Sequence, residues 1–363
     1  AGDAMVFAQA ARQAAEWPSG VLRTQATPFT VRYKDEHGQG VGVYRDFLDT
    51  AAEELMSPQL AVLLPSPNSV AEVGEDRDAF VLNPALDTWP GSPGRRMLRF
   101  LGRLMGVCVR RGDVLPLRLP RAVWAGVLGE ELGLEDLEGF DLAAASVARQ
   151  LSRPAEEGLD AEAFAGALVG LRFAAADSSG REVDLVEHGG RIPVTPERAP
   201  EFAALLLEMR LGEASQQMEH LRRGFAAVVP PDCLALWTPE SLEERVCGIA
   251  EVDVELLRKQ ARYDGVASDA AEVGHLWQAL REMSQGDLRL FLRFVWGRSR
   301  LPPEGSPKWG VGFKVVGKVV AGDPDCWLPV AHTCTFQLDL PAYSSKEVCA
   351  DRVGFAIRHC VSL

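Results

Sequence analysis

Cys334 lies between Leu328-Pro-Val-Ala-His-Thr and Thr335-Phe-Gln-Leu-Asp-Leu-Pro341, close to the end of a 363-residue chain. A thiol with an unperturbed pKa of about 8.5 is a few per cent ionised near neutral pH and already strongly nucleophilic. Pro329 stiffens the approach and cannot donate to a ladder, while Phe336, Leu338 and Leu340 alternate with Thr335, Gln337 and Asp339 as a half-buried strand does. Cys334 is therefore expected where a loop ends and a strand begins, on rigid supports but outside the core. Two other chemistries compete for it. Cys326, His332 and Cys334 fall within nine residues, yet structural zinc takes four ligands, usually in two close pairs, and the second pair is missing. A Cys–His hydrolase needs an imidazole beside the thiol; His275 and His359 are candidates, whereas strand alternation sends His332 to the face opposite Cys334. Phosphate-loop and dinucleotide glycine patterns are also absent, so neither a metal nor a cofactor is expected. Cys108, Cys247 and Cys349 lie in helical patterns and Cys233 follows a Pro-Pro break, which makes them structural; Cys326 is the second candidate for a reactive thiol.

The elements that must hold Cys334 begin on its C-terminal side. Pro341 closes the strand, and Ser344 with Glu347 has the capping-box spacing, so a helix is expected with Val348, Val353, Ala356 and Ile357 on one face. With helices at Val273–Met283 and Asp287–Trp296, this end of the chain reads as a small α/β unit. Far upstream, Phe29–Tyr33 alternates as a strand, Gly38–Gly42 is a glycine turn, and Val43, Phe47, Leu48, Ala51 and Leu55 mark a helix. Ser57–Gly94 reads as irregular chain around one strand at Ala79–Leu82. Helical spacing returns at Met97–Val109. Gly102 and Gly106 there cost roughly 1 kcal/mol each against alanine, which implies close packing on that face.

Helices follow at Pro120–Leu128 and Asp141–Leu151, separated by the acidic stretch Glu130–Asp141. Leu168–Phe173 and Arg181–Leu185 around the turn Asp177–Gly180 predict a hairpin, and Pro196 opens a long helical pattern that continues to Phe225. A short helix at Leu242–Cys247 precedes Gly248, and residues 251–257 read as a hinge.

Composition bounds the function. The chain is 47% hydrophobic and 25% charged, long enough for two or three units with their own cores. A net charge of −13 disfavours nucleic-acid backbones, which need clustered Lys and Arg to displace counterions, and makes basic protein partners more plausible. Seven cysteines without short paired spacing read as reduced thiols of the cytosol or nucleus. Neither a signal-peptide core nor an apolar run near the ~20 residues of a membrane span is found.

The stretch Leu328-Pro-x-x-His-Thr-Cys334, continuing to Leu338-x-Leu-Pro-x-Tyr343-x-Ser345, resembles the end of the HECT family of ubiquitin ligases. The resemblance extends through Arg99-Phe-Leu-Gly-Arg-Leu-Met-Gly106, Ile192-Pro-Val-Thr195, Arg223-Gly-Phe225, Tyr263-Asp-Gly265 and Phe291 to Pro302. It implies an α+β, mainly helical, bilobal fold: an extension at 1–28, a large lobe at 29–250 with a docking subdomain at about 145–228, the hinge at 251–257, and a small α/β lobe at 258–363 carrying Cys334. In that reading Cys334 accepts ubiquitin as a thioester from a conjugating enzyme and passes it to a substrate lysine. His332 and Thr333 support the loop, and Val147, Val169, Leu171, Phe202 and Leu206 fall where the family presents its apolar surface to the conjugating enzyme. The implied partners are the loaded conjugating enzyme, ubiquitin and protein substrates. The chain is expected to be the C-terminal part of a larger ligase. Two departures stand out: Gln39 where the family usually has Asp, and Thr335 where it commonly has Phe, with Phe336 one place later. The rival class is a non-catalytic module of the same fold that docks a conjugating enzyme without accepting ubiquitin; a buried Cys334 would favour it.

Overall fold

The computed structural model describes residues 4–24, 29–33, 41–74, 78–154, 156, 158, 160–249, 251–296, 300–301 and 312–359, without the side chains of residues 19, 41, 42, 161 and 334. The chain divides into two compact units, one of Ala1–Ser19, Glu53–Gly106 and Leu117–Leu242, the other of Gly20–Ala52, Val107–Pro116 and Glu243–Leu363. Among the described residues, no helix is long and apolar enough to cross a membrane.

In the first unit, helix α1 (Val6–Gln13) lacks a side-chain cap of its own. Glu54, in the last turn of α2 (Val41–Leu55), supplies one from a distance, accepting the N–H groups of Val6 at 2.8 Å and Phe7 at 2.6 Å. The segment expected to hold one strand holds two, β1 (Leu63–Pro65) and β2 (Phe80–Leu82), paired antiparallel. Leu63 and Leu64 are too short a run to stand out, and only β2 makes the pair visible. The long apolar-periodic helix is α3 (Pro93–Arg111). The acidic stretch contains a further helix, α4 (Leu134–Phe140), before α5 (Leu142–Ser152), which Asp141 caps by accepting the Ala144 N–H at 3.0 Å.

The hairpin forms one step later than expected. Its strands are β3 (Ala174–Ala176) and β4 (Glu182–Asp184), while Leu168–Phe173 is turn and isolated bridge. Asp177 sets this register: its carboxylate accepts the N–H groups of Ser179 at 2.9 Å and Arg181 at 3.1 Å, pinning the turn. The long helical pattern is broken into α6 (Ala199–Gly212) and α7 (Ser215–Ala226). Buried Arg210 anchors the end of α6, pairing with Asp141 at 2.7 Å and with Glu213. Close packing at the glycines of α3 is reciprocal: a Cβ on Gly102 would overlap the Leu221 carbonyl of α7, and one on Gly224 would overlap the Arg99 carbonyl of α3.

In the second unit, Phe29–Tyr33 is irregular chain, not the expected strand. Its alternating pattern is satisfied by a helix face instead of a ladder, with the Phe29 ring edge-on to Tyr44 and Phe47 of α2 at 5.3 and 5.8 Å. The turn residues Gly38, Gln39 and Gly40 lie outside the described residues, and Val41 and Gly42 already belong to α2. Helix α8 (Pro239–Cys247) ends at Gly248, whose φ of +74° is one that glycine adopts without penalty.

The heart of this unit is a four-stranded sheet of β5 (Ala261–Asp264), β6 (Phe313–Lys318), β7 (Val330–His332) and β8 (Gln337–Pro341) in the order β5-β6-β8-β7. The first two pairings are parallel and β7–β8 is antiparallel. Parallel neighbours require crossovers. Helices α9 (Val254–Lys259), α10 (Ala271–Glu282), α11 (Gln285–Trp296) and α12 (Lys346–His359) supply the cover, with Trp277, Phe291, Phe313 and Leu338 in one core.

Candidate functional site

Cys334 occupies a 3-10 turn, Thr333–Thr335, that joins β7 to β8. The expected loop-to-strand junction is thus the tip of a hairpin, closed by the pairing of His332 with Gln337. Its thiol lies outside the described side chains, so the expected exposure does too. The turn also removes the alternation argument that set His332 opposite Cys334, because the intervening backbone is not extended.

Phe336 makes the tight closure possible. Its backbone is left-handed, φ 51° and ψ 54°, at a cost of roughly 1–2 kcal/mol for a residue with a Cβ. The ring offsets this cost: it is buried, stacked on Trp296 at 4.5 Å with 12° between planes, and 5.1 Å from Phe313. In this chain the aromatic nearest the cysteine, Phe336, is thus part of the core, and Thr335 is exposed with its hydroxyl donating to the His332 carbonyl at 3.3 Å.

His332 is exposed, with Nε2 3.1 Å from a carboxylate oxygen of Asp339. The other oxygen of Asp339 accepts from the Gln337 amide at 2.7 Å. A carboxylate partner assigns the proton of a neutral ring to Nε2 and leaves Nδ1 as the acceptor. Thr333 is half-buried, and its carbonyl accepts the Phe336 N–H at 3.4 Å. Asp339 was visible in the sequence as a polar strand residue, but its partner appears only when β7 and β8 pair.

The approach to the turn is pinned by residues that sequence spacing misses. Tyr343 donates its hydroxyl to the Trp327 carbonyl at 2.9 Å, and burial raises its pKa well above the usual range. Arg352 donates to the Asp325 carbonyl at 2.8 Å. Asp325 accepts the Ser344 N–H at 2.9 Å and its hydroxyl, contacts that hold its carboxyl below the ordinary range. With Ser344 so engaged, the cap of α12 passes to Ser345, whose hydroxyl accepts the Val348 N–H at 3.3 Å, not to Ser344 as the capping-box spacing suggested. Tyr343→Phe is expected to lower stability by about 1 kcal/mol and to speed amide exchange across residues 324–330. Equal exchange in parent and variant would show that this hydrogen bond does not hold the loop.

The other thiols separate by burial. Cys108, Cys247 and Cys349 are buried, with burial pushing the Cys349 thiol up to about 12, and Cys233 is half-buried. Cys326 is exposed, in the turn Pro324–Cys326.

Of the five residues expected on a docking surface, Val169 is 83% exposed, and Val147 and Leu171 are half-buried. Phe202 and Leu206 are corrections: at 2% and 5% exposure they form the core beneath, with Phe173 edge-on to Phe202 at 5.7 Å. The positions are four apart on α6, so both turn toward α5 and the hairpin, and Leu205 and Met209 carry the partly exposed edge. Within the expected hinge, Val252 exchanges hydrogen bonds with the Gln285 side chain at 2.8 and 3.3 Å, and Asp253 caps α9.

A family model described as "HECT-domain (ubiquitin-transferase)" matches residues 49–363. E3 ubiquitin-protein ligase HERC2 from Homo sapiens is 32% identical over 369 residues, covering 100% of this chain and 7% of that protein. Probable E3 ubiquitin-protein ligase HECTD4 from Homo sapiens is 27% identical over 390 residues, 97% of this chain and 10% of the relative. E3 ubiquitin-protein ligase HACE1 from Homo sapiens is 27% identical over 336 residues, 92% of this chain and 35% of the relative. The chain thus spans only a small part of these relatives' length. With a match over most of its residues and the mixed helical and sheet architecture described above, the chain belongs to the HECT family.

Proposed function

We propose that the chain is the catalytic domain of a ubiquitin ligase and that Cys334 is its acceptor. The Cys334 thiolate attacks the carbonyl of the thioester between ubiquitin and a conjugating enzyme; the new carbon–sulfur bond forms as that enzyme's cysteine thiolate leaves. A substrate lysine amine then attacks, giving up its proton, and the Cys334 thiolate departs as the isopeptide bond forms. Exchange of one thioester for another is nearly isoenergetic, so approach geometry counts for more than activation. The observation that carries this reading is the Leu-Pro-x-x-His-Thr-Cys sequence held at a hairpin tip with its approach loop pinned, in a chain of this family. His332, oriented by Asp339, and Thr333 are proposed as loop supports for the acyl group. The partners are a loaded conjugating enzyme, ubiquitin and protein substrates, in the cytosol or nucleus. Residues 251–257 are the proposed bend that lets Cys334 meet donor and acceptor in turn. Thioester loading, measured with and without reductant beside Cys334→Ala, tests the proposal.

Docking is assigned to the surface around Val169, with Val147, Leu171, Leu205 and Met209 at its partly exposed edge. Val169→Asp is expected to slow loading roughly tenfold or more at unchanged melting temperature, as for an interface contact worth above about 1.4 kcal/mol. Phe202→Ala should instead lower stability by about 3–5 kcal/mol. Normal loading by Val169→Asp at low enzyme concentration would move the docking surface elsewhere.

A further inference from the structure

The first unit carries a cluster of arginines that ubiquitin transfer leaves without a task. Arg95, Arg99 and Arg103 recur every fourth residue of α3 and so form one stripe, with Arg96 beside the first. His220 and Arg223 of α7 add to the same field. Among the described residues, none of Arg95, Arg96, Arg99 and Arg103 pairs with a carboxylate. Glu16 and Asp87, the acids nearest in sequence to the elements around them, pair with none of the four. Arg223 is already taken by Glu219 at 2.6 Å. Arg103 and Arg96 donate only to the carbonyls of Ala14 and Gly91, and the buried Nε atoms of Arg99 and Arg103 have no hydrogen-bond partner.

Like charges four apart on a helix repel, and burying them adds a desolvation cost. Both show at Arg99, held below the ordinary arginine pKa by burial first and then by Arg95, Arg223 and Arg103. General basicity does not explain the cluster, because the chain carries a net charge of −13. A cavity of about 300 Å³ lies against the stripe, lined by all four arginines, with Ala11 and Ala14 on its wall and Pro90 and Gly91, just before the positive end of α3, at its edge.

We propose that this cavity binds a small, multiply phosphorylated molecule, its phosphates taking forked hydrogen bonds from Arg95, Arg96, Arg99 and Arg103. A cavity of this volume fits a small molecule and not the long track a nucleic-acid backbone needs. Four cations converging on one space call for a ligand of comparable charge, and each phosphate brings close to two negative charges and several strong acceptors. Nothing in this inference depends on Cys334.

The test is calorimetry of the whole chain with inositol hexakisphosphate and with tripolyphosphate, beside flotation with vesicles containing a phosphatidylinositol bisphosphate. One saturable site is expected, weakened roughly tenfold by Arg95→Gln and further by Arg95→Gln with Arg99→Gln. The ligand-free melting temperature of these variants should be unchanged or higher, since repulsion is relieved. Arg118→Gln, outside the cavity, should bind as the parent does. Vesicle capture would assign the phosphates to a lipid headgroup, and binding of the soluble probes alone to a free metabolite. Absence of saturable binding, equal binding by the double variant, or equal weakening by Arg118→Gln would each overturn the proposal.

Discussion

Cys334→Ala is expected to abolish the reductant-sensitive ubiquitin adduct completely, the largest effect of any single substitution in this chain. The adduct is a covalent bond to one sulfur, so removing that sulfur removes the intermediate instead of slowing it. Cys334→Ser gives a sharper test, because an oxygen nucleophile traps the acyl group as an ester that survives reductant. The arms are incubated with activating enzyme, conjugating enzyme, ATP and ubiquitin, then run with and without reductant. Cys326→Ala, altering the exposed thiol of the turn Pro324–Cys326, should load as the parent does. An adduct that persists in Cys334→Ala and disappears in Cys326→Ala would transfer the acceptor role to the turn Pro324–Cys326 and defeat the proposed mechanism. A parent that never loads across a panel of conjugating enzymes would favour the non-catalytic docking module.

The second large effect is on stability and lies in the first unit, where α3 meets α7. Gly102→Val should destabilise the protein by about 3 kcal/mol or more, enough to consume much of the margin of a typical domain. The added Cβ would meet the Leu221 carbonyl and the Phe225 amide nitrogen of α7, groups that cannot swing aside as the end of a flexible side chain can. Relief would require α7 to move off α3, and Gly224, against the Arg99 carbonyl, makes that contact mutual. Gly139→Ala is the matched control: it lies in α4, where a Cβ meets nothing within 4 Å, and should stabilise by about 0.5–1 kcal/mol. Chemical denaturation of the three proteins separates the outcomes. A Gly102→Val midpoint close to the parent's would mean that α3 and α7 are not locked together by their glycines.

Much of this was legible one residue at a time. The stripe of α3, the close approach at Gly102 and Gly106, the helices of the C-terminal unit and the buried alternation of Phe336, Leu338 and Leu340 follow from periodicity and propensity, which are local. Chemical character was local too: a proline-led loop ending in His-Thr-Cys marked Cys334 among seven cysteines, and the relatives agree on the family.

The tertiary structure decided which partner satisfied each pattern. Phe29–Tyr33 has the alternation of a strand but packs on a helix, because period two specifies only which side chains are buried, not what they are buried against. Leu168–Phe173 yielded its place in the hairpin to Ala174–Ala176, because the carboxylate of Asp177 fixes the turn and the turn fixes the register. Phe202 and Leu206 turned inward, since a helix face is apolar whether it meets a core or a partner protein, and only its neighbours decide. At the candidate site, the sequence alone determined the thiol and its flanking residues. The hairpin tip, the left-handed Phe336 and the His332–Asp339 contact came from the antiparallel pairing of β7 with β8, and the Asp325 contact from the return of the chain at Ser344; side-chain alternation specifies which residues are buried and neither of these closures.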